Sequence, residues 1–85
     1  MPDHPRLIYS PLQQTFTADG KTVAIRIYRG AASGWTLEVV DQYNNSIIWD
    51  DEFATDQEAL ALALLELRDE GIAAFIGVDP GADLA

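Results

Sequence analysis

In the stretch Thr55 to Gly71, TDQEALALALLELRDEG, apolar residues recur at helical spacing over more than two turns. At about 100° per residue, Leu60, Ala63, Leu64 and Leu67 form one stripe, bordered by Gln57 and Arg68 on one side and by Glu66 and Glu70 on the other. Thr55 with Glu58 three residues on makes a capping box, in which hydroxyl and carboxylate each satisfy a backbone N–H that the helix start leaves orphaned. Asp56 adds negative charge where the helix dipole favours it, and Gly71 supplies the left-handed residue that commonly ends a helix. Such a helix needs a sheet to lie on. Leu62 and Leu65 fall outside the stripe, among Glu58, Ala61 and Asp69. Two readings of that pair stand: ordinary exposed leucines, or part of a second apolar surface used for self-association.

Ahead of the helix the period is two. Residues 12–29 read as a hairpin turning on Asp19-Gly20, a dipeptide suited to the positive φ angles of a tight turn. Opposing Ala18 to Lys21 sets Phe16 against Val23, Gln14 against Ile25 and Leu12 against Ile27, and a slip of one residue would scramble that apolar side. The small-residue connection Gly30 to Gly34 matches no phosphate-binding spacing and reads as a link to a third strand, Trp35 to Gln42. That strand brings Ile27 to Leu37, Ile25 to Val39 and Arg26 to Glu38, the last a candidate cross-strand ion pair. The next turn falls in Tyr43 to Ser46. A three-residue loop, Gln42 to Asn44, is preferred because it sets Leu37 against Trp49 and Val39 against Ile47, whereas a two-residue turn opposes Glu38 to Asp51. A fourth strand then runs from Ser46 to about Asp51. After the helix, Ile72 to Ile76 is short and apolar, and periodicity leaves strand and helical turn both open, with Ile72 and Phe75 or Ile76 closing the core.

The expected architecture is α+β: a four-stranded antiparallel meander with one C-terminal helix packed on one face. Residues 1–11, with Pro2, Pro5 and Pro11, form an extended arm whose Leu7, Ile8 and Tyr9 can dock on the sheet. Residues 12–77 form the domain, and residues 78–85, carrying Asp79-Pro80-Gly81, a flexible tail. The uncovered sheet face displays Ala24, Tyr28, Val40 and Ile48 between charged and hydroxyl residues, more apolar than a solvated face requires.

The passage WDDEF-x-TD-x-EAL, Trp49 to Leu60, resembles that of small uncharacterised bacterial proteins built of strands followed by a helix, a resemblance that implies the fold and no activity. From Val23 to Gly71 the chain is also similar to HicB-type antitoxins, whose three-stranded sheet enters a helix through a T-x-x-EA sequence, here Thr55, Glu58 and Ala59. That similarity implies neutralisation of a basic protein partner.

Composition narrows the function classes. With 85 residues the chain makes one small domain, which buries only about 60–65% of its unfolded surface and gains from oligomerisation. Cysteine is absent, which removes disulfides, thiolate nucleophiles and cysteine-ligated metals, and the start resembles no secretory leader. The expectation is a complete, soluble, cytoplasmic chain. A formal net charge of −9 opposes nucleic acid and anionic membranes and suits a basic protein partner or simple solubility.

Candidate chemistry is sparse. His4 stands alone beside Asp3 in the arm, and with cysteine missing no nucleophile–base arrangement can be assembled. Asp50-Asp51-Glu52, with Asp41, suggests a divalent cation or paired carboxylates, yet alternation along a strand sends Asp51 away from Asp50 and Glu52. The expectation is therefore a non-catalytic interaction module that needs no cofactor or metal. It is read as a homodimer or the binder of a protein partner, using either the outer sheet face with Tyr28, Val40 and Ile48 or the helix surface with Leu62 and Leu65. A small acidic-site metal binder or enzyme is the alternative.

Overall fold

The structure, a computed structural model, describes residues 7–78. His4, the start of the arm and the tail beyond Val78 lie outside them. In chain order the elements are β1 (Ile8–Tyr9), β2 (Gln14–Ala18), β3 (Lys21–Arg29), β4 (Thr36–Asp41), β5 (Ser46–Ile48), helix α1 (Asp56–Glu70) and a 3₁₀ turn (Ile72–Phe75). The strands form one antiparallel sheet in the order β1-β3-β4-β5, with β2 pairing the same edge of β3 as β1.

Turn chemistry sets the registers. Asp19 and Gly20 have φ of 53° and 75°, the pair of positive angles that a two-residue hairpin demands, and Ala18 lies opposite Lys21. Ile25 meets Val39 and Ile27 meets Leu37 across β3 and β4. At the next turn Asn44 takes φ 68°, Asp41 and Asn45 close a three-residue loop, and Val39 meets Ile47. Every odd residue of β3 from Val23 to Ile27, with Leu37 and Val39 of β4, is thereby buried on one face.

Helix α1 covers that face. Thr55 Oγ1 accepts the N–H of Glu58 at 3.1 Å while Thr55 N–H donates to Glu58 Oε1 at 3.3 Å, so the capping box is complete. Ala59, Ala63 and Leu67 are the buried positions, and Leu60 and Leu64 pack on the core half-buried. The face is therefore turned from the leucine-centred stripe toward Ala59. Alanine carries little hydrophobic weight in a periodicity, yet its small side chain lets the helix backbone come close to the sheet. Gly71 ends the helix with φ 83° and ψ 148°, an extended positive-φ conformation open essentially to glycine, and not the left-handed helical one. The following 3₁₀ turn then buries Ile72 and Phe75 at the end of the core.

Three further features depart from the sequence expectation. The sheet has five strands, not four, because Ile8–Tyr9 pair with Arg29 and Tyr28. Leu12 does not oppose Ile27: Ser10 N–H donates to Ile27 O at 2.9 Å, and the Gln13 side chain accepts the Ile27 N–H at 3.1 Å. Residues 10–13 thus form a bulge in which Pro11, lacking an N–H, costs no ladder bond. The fourth strand also ends early, at Ile48. The acidic run after it bulges outward before Trp35 and Phe53 exchange two backbone hydrogen bonds. Gly34 suits that close approach, since a Cβ there would sit 3.0 Å from Phe53 O and press the neighbouring segment back slightly.

Candidate functional site

The outer sheet face collects Tyr9, Ala24, Arg26, Tyr28, Glu38, Val40 and Ile48, because residues paired across antiparallel strands share a side. Arg26 and Glu38 are directly opposite, but the expected ion pair gives way to other partners. The Arg26 guanidinium lies over the Tyr9 ring, 5.9 Å from its centroid, and Glu38 Oε1 accepts the Tyr28 hydroxyl at 3.2 Å. The rings of Tyr9 and Tyr28 are 6.1 Å apart and tilted by 57°. Burial first, and then the neighbouring Glu38 carboxylate, raises the Tyr28 phenol above its ordinary value. The hydroxyl is a fixed donor, not an acid at neutral pH. Val40 is half-buried between Ala24 and Ser46, and Ile48 is 52% exposed.

Of the two leftover leucines, only Leu65 stands in solvent, 54% exposed. Leu62 is half-buried, because turning the buried face toward Ala59 brings Leu62 to its margin. The helix therefore offers a single exposed leucine. The outer face and Leu65 lie on opposite sides of the two-layered fold, so the two candidate surfaces are separate.

The acidic candidates Asp41 and Glu52 are held by partners within the chain. Among the described residues no three histidine, aspartate or glutamate side chains are grouped to hold an ion. Asp41 is buried on the helix side of the sheet and is fully engaged: its carboxylate accepts Tyr43 N–H and Asn45 N–H, each at 2.8 Å, the Asn45 amide at 3.1 Å, and Gly77 N–H. Burial alone would push this carboxyl up, but the donors from Gly77, Asn45 and Tyr43 together outweigh it and hold it below its ordinary value. Asp41 thus ties the β4–β5 turn to the C-terminal segment, a structural task. Glu52 Oε1 accepts Gly34 N–H at 3.1 Å and steadies the acidic bulge.

One feature escaped the sequence reading. Ile47, expected inward, is 42% exposed, because β5 is the edge strand and α1 does not extend over it. Between β5 and the C-terminal part of α1 lies an open cleft of about 480 Å³. Trp49 and Phe75 form its floor, with rings 6.3 Å apart and inclined by 19°, and Glu66 and Glu70 flank it. The signal was present in the meander itself, whose last strand must be an edge. No helix among the described residues is long and apolar enough to cross a membrane. Comparison with protein-family models, with curated proteins and with solved structures finds no match to this chain.

Proposed function

We propose that this protein is a non-catalytic interaction module of the cytoplasm that pairs with a second copy of itself through the outer face of its sheet. The charge distribution carries the reading. The chain has a net charge of −9, yet the described strand residues on the outer face include one cation, Arg26, and one anion, Glu38. Two such faces can approach without like-charge repulsion, while the acids gather on α1 and the bulge before it. Tyr9, Tyr28, Val40 and Ile48 supply rigid aromatic and aliphatic area with hydroxyls able to bond across an interface, the composition that interface centres favour. The exposed Arg26–Tyr9 contact and the half-buried Tyr28–Glu38 contact order these side chains before any partner arrives, which lowers the entropic cost of association. The absence of cysteine suits a reducing compartment.

Light scattering on the purified chain tests this. The expected mass is twice the 9.3 kDa of the monomer. Val40→Lys places a charge between Ala24 and Ser46, opposite no like charge, and is expected to yield a folded monomer, whereas Leu65→Glu leaves the dimer intact. A wild type that stays monomeric at millimolar concentration would remove the proposal.

A further inference from the structure

The free edge of β5 and the cleft behind it have a different chemistry from the outer face. Trp49 N–H donates to Leu37 O at 3.1 Å and Asn45 O accepts Asp41 N–H at 2.8 Å, so both of these odd residues turn their backbone groups toward β4. By alternation, Ser46 and Ile48 turn theirs outward, where no described strand pairs with them. Edge strands are commonly blunted by being very short, by charge, by proline or by a covering loop. β5 is short, but it carries no charge or proline, no described loop covers it, and Ile47 and Ile48 are both exposed.

From these features we infer that β5 is a docking site for a basic, strand-forming segment of another protein, which joins the sheet as an additional antiparallel strand. Main-chain hydrogen bonds to Ser46 and Ile48 hold the segment, and its alternate side chains fall over the cleft. There an aliphatic side chain covers Trp49 and Phe75, and a lysine or arginine reaches Glu66 and Glu70. Glu66 is oriented for this by the Trp49 indole, whose N–H points to its carboxylate at 3.4 Å. Charge selects the occupant. None of the described cations Lys21, Arg26, Arg29 and Arg68 lines the cleft, so its carboxylates lack a positive partner there. A second copy docked β5 to β5 would bring the same glutamates together again, and an acidic segment would fare no better. The inference rests on the chain being an interaction module but not on its being a dimer, since the cleft opens on the helix side of the sheet.

The test uses the full chain and a short end-capped peptide of alternating valine and lysine, followed by residue-resolved amide shifts. Two control peptides accompany it: one with backbone N-methylation on alternate residues, and one with glutamate in place of lysine. The expected result is saturable binding with shifts concentrated at Ser46, Ile48 and the Trp49 indole. Affinity should fall about tenfold or more in Glu66→Lys/Glu70→Lys, and similarly at high salt. Neither control peptide should bind. The inference is overturned by equal binding of the N-methylated peptide, by shifts spread over the outer face, or by no saturable response. A monomer that binds the peptide at β5 overturns only the outer-face pairing. A dimer that ignores the peptide overturns only this inference.

Discussion

The two edges of the sheet are built differently. On the β1–β2 side the strand is cut by the bulge at residues 10–13 into pieces of two and five residues. Gln13 reaches across to fill the hydrogen bond the bulge leaves open, and the buried Ser10 hydroxyl donates to Asp56 at 2.7 Å at the start of α1 while accepting Leu12 N–H at 2.9 Å. Along β2 the exposed residues are Gln14, Thr15 and Thr17. On the β5 side the strand is short but apolar, and nothing described crosses it. Asp41 nevertheless anchors it from behind. One edge has the irregularities of its bulge satisfied by its own side chains and is lined by polar residues, and the other exposes two isoleucines.

Substitutions can break this comparison in order of expected effect. The largest belongs to Asp41→Ala, which leaves the N–H groups of Tyr43, Asn45 and Gly77 without their acceptor and should cost about 2–4 kcal/mol in urea unfolding. The same carboxylate has a pH signature. Its folded value is depressed, so its contribution is present above the ordinary carboxylate value and is lost as pH falls through the folded one. Stability measured against pH should therefore decline on acidification in the wild type, and this part of the decline should be missing in Asp41→Asn.

Next comes Ser10→Ala at the opposite edge, which removes a hydrogen bond to a charged group and the acceptor for Leu12 N–H. About 2 kcal/mol should be lost, with faster hydrogen exchange at Leu12 and at the first turn of α1. Gln13→Ala should cost about 1 kcal/mol and expose the Ile27 amide to exchange, because no other described group accepts that N–H. An unchanged Ile27 protection factor would show that the side chain is not what satisfies the bulge. The smallest effect on folding is expected from Ile47→Thr, which should cost no more than about 1 kcal/mol since the side chain is 42% exposed. Peptide binding at β5 should weaken in the same variant, separating an edge kept for a partner from one kept for stability.

Much of the sheet could be read along the chain because each hairpin is decided locally. Asp19-Gly20 and Asn44 occupy the positive-φ positions that their turns require, and once a turn is fixed a period of two places Val23, Ile25, Ile27, Leu37 and Val39 on one side. The helix limits were equally local, since Thr55, Glu58 and Gly71 act on backbone groups within one turn of themselves. Of the candidate interface residues, Tyr28, Val40 and Ile48 follow from the same alternation. Leu62 did not, because the rotation of α1 depends on how closely Ala59 and Ala63 allow it to approach the sheet.

What the sequence by itself determined is thus the helix and the pairing of β2 to β5, through turn geometry and periodicity that act over a few residues, while β1 and the bulge at residues 10–13 were not legible in it. Tertiary structure alone decided that Asp41 serves Gly77, 36 positions away, instead of a ligand. It also decided that Ser10 binds the helix start and that Trp49 and Phe75 floor a cleft beside the edge strand β5. Those outcomes depend on which distant groups packing brings within hydrogen-bond or van der Waals distance, and no local pattern encodes that.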